Sequence, residues 1–187
     1  MGHSKAEKAK NRERILDEAA AQIRKSGLES VSVGKLMAKV NLTHGGFYGH
    51  FASRSDLIAQ ALERALGSSQ AAAKASHDPE QPKNFRMWVK SYLSRAHRDS
   101  PNTGCAIAAL ISDVGRADQQ VRSVMRPHIE NYLASLAQSL GDDDRAMVAV
   151  SAMIGALALS RAVADPKRSD AILRAVRDGV IAMREEE

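Results

Sequence analysis

The 187-residue sequence predicts an all-α fold of nine helices, a small three-helix unit at the N-terminus followed by a larger helical body. Three observations predict it. No stretch alternates apolar and polar residues with the period of two expected of a half-buried strand. Segment after segment instead places apolar residues at i, i+3, i+4 and i+7, one face of an α-helix. Between the segments lie Gly, Pro, Ser, Thr and Asp at positions that start and stop helices. Apolar residues make up 44% of the chain and charged residues 26%, enough for a core inside a polar surface. No run approaches 18 consecutive apolar residues, so no membrane span is expected. Met1-Gly2-His3-Ser4-Lys5 leads into a charged stretch without the apolar core of a secretory signal. The single cysteine, Cys105, allows no internal disulfide and fits a reducing, cytoplasmic setting.

The elements follow in order. A first helix is predicted over about residues 4–26, with Ile15, Leu16, Ala19, Ala20 and Ile23 in one stripe. Gly27 stops it, and Leu28 covers the end. Ser32 is placed to cap a short second helix, in which Val33, Leu36, Met37 and Val40 keep the helical spacing. Asn41-Leu42 make a tight turn, and Thr43 caps a third short helix over about 44–50. Ser53, with Asp56 three residues on, opens a fourth that carries Leu57, Ile58, Ala61, Leu62 and Ala65 inward. Gly67-Ser68-Ser69 weaken it, and two prolines within 77–82 break it, so it should fray after about residue 75. A fifth helix is predicted over about 84–98, a loop over 100–104 and a sixth helix over 105–116. Asp118 caps a seventh, with the stripe Val121, Met125, Ile129, Leu133, Leu136 and Leu140. Pro127 inside it removes one backbone hydrogen bond, and Gly141 ends it. The eighth, reaching about residue 164, is apolar almost all round, as a helix covered on several sides must be. Asp165-Pro166 open the ninth, which carries Ile172, Leu173, Val176, Val180 and Ile181.

Of the 27 Lys and Arg and 22 Asp and Glu, residues 1–64 hold 11 and 7, leaving 16 and 15 for the rest. Most of the net charge of +5 therefore sits in the first third, as a polyanion partner or a solvated basic face would have it. Lys5, Lys8, Lys10, Arg12 and Arg14 crowd the start of the first helix, where the macrodipole disfavours cations, so phosphate is a candidate counter-charge. Residues 32–51 read helix, short turn, helix, with Val40 and Leu42 apolar on either side of the turn. That is a helix-turn-helix, whose second helix lies in the major groove of DNA. Thr43 offers a hydroxyl to phosphate, His44 can reach a base edge, and Tyr48 and His50 can hydrogen-bond phosphates. Phe47 and Phe51 are suited to anchor the unit inward. His44 and His50 lie six apart and do not share a face, so no metal site is expected, nor any cofactor.

Gly27, the stretch 33–40, the run Leu42-Thr43-His44-Gly45-Gly46-Phe47-Tyr48-Gly49-His50-Phe51 and the run Ser53-Arg54-Ser55-Asp56-Leu57 resemble the TetR/AcrR family of one-component regulators, over about residues 10–66. The resemblance implies a TetR-like division of labour: a helix-turn-helix DNA-binding domain over 1–52, and an effector-binding and dimerisation domain over 53–187. It implies DNA contact for Thr43, His44, Gly45, Tyr48 and His50, and phosphate contact for Ser32 and Arg54. It further implies a homodimer, paired through its last two helices, that holds a palindromic double-stranded operator and releases it to a small-molecule effector. Met153, Ala156, Leu157, Val176 and Val180 are then candidates for the dimer interface, the alternative being that the eighth helix is plain core. One departure stands out: Gly45, Gly46 and Gly49 each cost a helix about 1 kcal/mol relative to alanine, and leave base readout resting on His44.

Trp88, Tyr92, Met125 and Tyr132, with Met147 and Met153, either line an effector cavity or are ordinary core. Cys105 opens the sixth helix, whose positive N-terminus favours the reactive thiolate. A cysteine there is also similar to electrophile-sensing members of the family; the other reading is a small, inert buried residue. No Gly-x-Ser-x-Gly, phosphate loop or His-Glu-x-x-His occurs, and no motif beside the cysteine supplies a base, so no enzyme is expected. The rival from another class is a stand-alone helical small-molecule-binding protein without regulatory DNA binding.

Overall fold

The computed structural model describes residues 5–75 and 85–184, and among them every regular element is helical. α1 (Lys5–Ser26) ends at Gly27, whose φ of 82° is a backbone that residues with a Cβ rarely adopt. A 3-10 turn, Leu28–Ser30, leads to α2 (Val33–Lys39). Asn41, at φ 58°, turns the chain into a second 3-10 segment, His44–Gly49. α3 (Arg54–Ala75) then leaves the three-element head, and the body continues with α4 (Phe85–Tyr92), α5 (Arg95–Arg98), α6 (Ala106–Arg116), α7 (Gln119–Leu140), α8 (Asp143–Ala162) and α9 (Pro166–Ala182). The start expected at residue 4, the break over 77–82 and the first residue of the helix expected over 84–98 lie outside the described residues.

Most caps are as the residue types require. Asp118, Asp142 and Asp165 each accept a backbone N–H at the start of α7, α8 and α9, and Gly141 ends α7 in the left-handed region. Asp56 accepts the Ala52 N–H while the Ser53 hydroxyl accepts that of Asp56, a reciprocal arrangement at the start of α3. Ser32 departs from expectation. It holds the N-cap position of α2, yet its side chain makes no capping bond.

Two elements differ more. The helix expected over 44–50 is a 3-10 segment: the Gly46 N–H reaches Thr43 O at 3.1 Å and the His50 N–H reaches Phe47 O at 2.8 Å. Three glycines in six residues give the segment little propensity for a full α-turn. The helix expected over 84–98 breaks at Leu93-Ser94, because the Ser94 hydroxyl accepts the His97 N–H at 3.1 Å and starts a new helix.

α1 packs on α3, α3 on α7, and α8 between α7 and α9. One apolar cluster runs through head and body, from Ile15, Phe47 and Leu57 to Leu110, Leu136 and Leu157. α3 belongs to both parts: it packs on α1 of the head and on α6 and α7 of the body. α8 has the length and hydropathy of a membrane-crossing helix, yet it buries Ala149, Met153 and Leu157 inside the bundle while Met147, Val148 and Leu159 stay about half exposed.

Candidate nucleic-acid interface and the aromatic core behind it

Phe47 and Phe51 hold the turn-helix segment in place. They are buried and stacked, with ring centroids 5.6 Å apart, beside buried Val40 and half-buried Leu42. With these side chains pointing inward, Thr43, His44, Gly45 and Tyr48 are left exposed; Tyr48 shows 69% of its surface. The Thr43 hydroxyl accepts the Gly46 N–H at 3.3 Å, as a cap should. Ser32 is exposed at the start of α2, and His50 is half-buried against Phe51. The edge therefore presents hydroxyls, a phenol and an imidazole, which suit phosphate and base edges. Cβ atoms added at Gly45 or Gly49 would meet nothing within 4 Å.

Several cations singled out for DNA serve the chain itself. Arg14 donates to the Val40 carbonyl at 2.8 Å and to Asn11 at 3.2 Å. Arg12 donates to Gln60, and its guanidinium lies over the Phe51 ring at 5.1 Å. Arg12 also lies 4.0 Å from the Glu13 carboxylate, so both guanidinium groups have partners within the chain. Lys5, Lys8, Lys10 and Lys35 remain exposed. Arg54 donates to the carbonyls of Val31 (3.0 Å) and Leu28 (3.2 Å) and pairs with Glu29 at 3.2 Å. It clamps the start of α3 to the connection between α1 and α2.

The head meets the body around the loop that precedes α6. Arg24, in the last turn of α1, donates to the carbonyls of Asn102 (3.3 Å), Gly104 (3.1 Å) and Ala65, and to the hydroxyls of Ser68 and Ser69 at 2.8 Å. The Ser69 hydroxyl accepts the Ala106 N–H at 3.2 Å, joining α3 to α6. Asp113 of α6 accepts the Leu28 N–H at 3.0 Å, just past the end of α1. Nothing in the sequence singles out Arg24, Ser69 and Asp113 for this joint. Single polar residues on amphipathic helices carry no periodic signal that distinguishes them from solvated ones.

Behind this loop Trp88, Tyr92 and Tyr132 pack ring against ring at 5.6 to 6.2 Å. His97 meets Tyr92 edge-on at 4.8 Å. His97 Nε2 accepts the Cys105 N–H at 2.9 Å, so its proton is on Nδ1, which donates to the Tyr92 carbonyl at 2.7 Å. Burial lowers its pKa below the usual histidine value, against the pull of the Tyr92 carbonyl, and the nearby Arg161 charge lowers it further. The hydroxyls of Tyr92 and Tyr132 are closed off from solvent and lie against one another, with the Cys105 thiol beside them. Burial drives both phenols well above their ordinary pKa, so they stay protonated, and the neighbouring Cys105 adds to the effect. Cys105 itself is half-buried and caps α6 through its backbone.

Met125 is fully buried in the core on α7, and Trp88, Tyr92 and Tyr132 pack against the same core. Met153, Ala156, Leu157 and Val180 are also buried within the single chain, so they are not free to meet a partner. α8 is apolar all round, and these positions fall on its inner face or on that of α9. Its outer face carries Met147, Val148, Ser151, Ala158 and Leu159, and α9 adds exposed Ala175 and Gly179 beside half-buried Val176. A groove of about 480 Å³ opens elsewhere, floored by Leu93 and Leu173 and rimmed by Lys90, Arg95, Arg174 and Arg177; none of the expected effector residues lines it.

Residues 15–61 match the family described as bacterial regulatory proteins, tetR family. No curated protein sequence matches the chain significantly. Solved structures do. A TetR transcriptional regulator from Chloroflexus aurantiacus superposes with a TM-score of 0.77 at 20% identity, over 97% of this chain and 98% of the other. NemR of Escherichia coli in its reduced form gives 0.70 at 19% identity, over 91% and 95%. The multidrug binding protein EbrR, complexed with proflavin, gives 0.65 at 21% identity, over 92% and 99%. At these identities the structural likeness speaks for the fold.

Proposed function

We propose that this chain is a TetR-family transcriptional regulator, a reading supported by the family match over residues 15–61 and by the shared fold, and that it is a homodimeric repressor of a palindromic operator, released by a small-molecule effector. The observation that carries the reading is the exposed edge of Thr43, His44, Gly45 and Tyr48, held rigid from behind by Phe47 and Phe51. In this reading residues 1–52 form the DNA-binding domain and 53–187 the effector-binding and dimerisation domain. His44 reads a base edge. Thr43, Tyr48, His50 and Ser32 hold phosphates, joined by the exposed lysines of α1 and α2. Arg54 contributes mainly by clamping α3 to the head. The outer face of α8 and α9 pairs the two chains and sets the distance between heads. The reading calls for a regulator in the cytoplasm, not an enzyme, and needs no metal, cofactor or membrane.

The effector acts at the aromatic cluster and engages the Cys105 thiol. Two comparisons lend support: one protein of this fold is described with a bound small molecule, and another in a reduced form. A change at Cys105 reaches α1 and α3 through Gly104, Arg24 and Ser69.

Mobility shift against a pool of random duplexes tests the DNA reading. Selection of a palindrome, with affinity falling steeply as salt rises, is expected. His44→Ala should lose preference among sequences and keep most non-specific affinity. Equal losses on selected and random DNA would remove His44 as a base reader. A stand-alone small-molecule-binding protein would select no sequence at all.

A further inference from the structure

We infer that the groove between α9 and the broken helix α4–α5 binds a small organic dianion, two negative charges carried on a short apolar body. The inference goes beyond the effector reading above and does not depend on it.

The groove forms where the helix expected over 84–98 breaks. α4 stops after Tyr92, and the Ser94 hydroxyl starts α5 by accepting the His97 N–H. Ser94 and Arg95 at the break, with Lys90 from the last turn of α4, make one wall. α9 makes the other: Asp170, Leu173, Arg174 and Arg177 stand at i, i+3, i+4 and i+7, on one face of that helix. Leu93 and Leu173, both buried, lie at the floor. The space between the walls is about 480 Å³, within the range of roughly 300–1,000 Å³ usual for small-molecule sites. Ala175 and Gly179, on the outer face proposed to pair two chains, point away from the groove around α9, so pairing there leaves it open.

Charge selects the occupant. Each wall carries two cations, Lys90 and Arg95 on one and Arg174 and Arg177 on the other. Asp170 is the one carboxylate among the lining residues, and it is already held by Arg95 at 3.0 Å and by Arg98 at 2.8 Å. Arg177 pairs with its neighbour Asp178 at 2.9 Å. Lys90 and Arg174 are exposed and take no ion pair among the described residues. The Asp178 carboxyl is held below its usual range by the Arg177 hydrogen bond, and the charges of Arg177, Arg174 and Lys90 add to the effect. Cations from both walls thus act on one spot, as in a cleft that concentrates potential of one sign. The two left without partners, one on each wall, call for two negative charges. A guanidinium and an ammonium suit carboxylate or phosphate oxygens, and the Ser94 hydroxyl has a proton to donate. The leucine floor offers the body of the ligand no polar partner, so that body is apolar.

The test is calorimetric titration of the full-length protein near pH 8, where phenyl phosphate carries close to two charges on an apolar body. Inorganic phosphate supplies the charge without the body, and benzoate the body with a single charge. Phenyl phosphate should saturate one site per chain and bind roughly fivefold or more tightly than either. Lys90→Gln and Arg174→Gln each remove an exposed cation, and each should weaken it roughly fivefold or more. Arg168→Gln, also exposed on α9 but outside the groove, removes the same charge and should leave binding within about twofold. Thermal melts verify that each variant is folded. Equal weakening by Arg168→Gln would mean that overall charge alone draws the anion, and would overturn the inference. So would phenyl phosphate binding no tighter than inorganic phosphate or benzoate, binding that does not saturate, or saturable binding that neither groove variant weakens.

Discussion

Glycines at the edge proposed to face DNA give the sharpest contrast between stability and function. Gly45 and Gly49 lie in the 3-10 segment with negative or extended backbone, since Gly27 and Gly141 are the glycines at positive φ among the described residues. A Cβ at either position meets nothing within 4 Å. Replacing both by alanine therefore removes backbone freedom from the unfolded chain without a clash, worth about 0.5–1 kcal/mol per site. For a chain of this size, 1 kcal/mol moves the melting temperature by about 2–4 °C, so the double variant should melt roughly 2–8 °C higher. Operator affinity should move the other way, by roughly tenfold or more, because two methyl groups now stand on the surface proposed to seat against the groove. Gly104→Ala is the internal control. Its Cβ would sit 2.8 Å from the His97 ring and 2.9 Å from the Ser100 carbonyl, so that variant should lose stability. Calorimetry and fluorescence anisotropy with a labelled operator read both effects. A double variant that is more stable and binds the operator as tightly as wild type would refute the idea that close backbone approach requires these glycines. A less stable one would refute the reading of open space around them.

Other consequences are as direct. Leu159→Glu, on the outer face of α8 and 57% exposed, should yield folded monomers by sedimentation with weak operator binding, whereas Leu157→Glu, fully buried, should fail to fold. A folded L159E dimer would move the interface elsewhere. Arg24→Ala removes a half-buried guanidinium that bonds the loop before α6 and the end of α3, and should cost about 2–4 kcal/mol while uncoupling effector from operator release. Normal effector response in that variant would rule out this joint as the route. His97 is neutral in the fold because burial lowers its pKa, so the unfolded chain binds the extra proton first. Its contribution to stability is whole above about pH 6.5 and is lost as pH falls below that, down to the lowered folded value. The melting temperature should drop more steeply below pH 6.5 in wild type than in His97→Gln, and parallel curves would exclude this histidine as the cause.

The sequence by itself determined the helical class, the order of the elements and the helix-turn-helix unit, because those depend on local chemistry. Apolar spacing marked α1, α2 and α7, and Asp118, Asp142, Asp165 and Gly141 marked helix ends through bonds to their own neighbours. The exposed edge of the helix-turn-helix was legible for the same reason: Phe47 and Phe51 point in, so the residues between them point out. Its glycines were visible too, but not that they would tighten the segment to 3-10. Only the tertiary structure decided which side of an all-apolar helix faces inward, and it put Met153 and Leu157 in the core and Leu159 outside. It also decided that Arg12, Arg14 and Arg54 reach carbonyls, an amide, a ring and carboxylates of the chain itself. Long side chains reach partners 23 to 48 residues away, and no local pattern records that distance. The convergence of Tyr92, His97, Cys105 and Tyr132 on one spot arises in the same way, from helices that meet only because their apolar faces share a core.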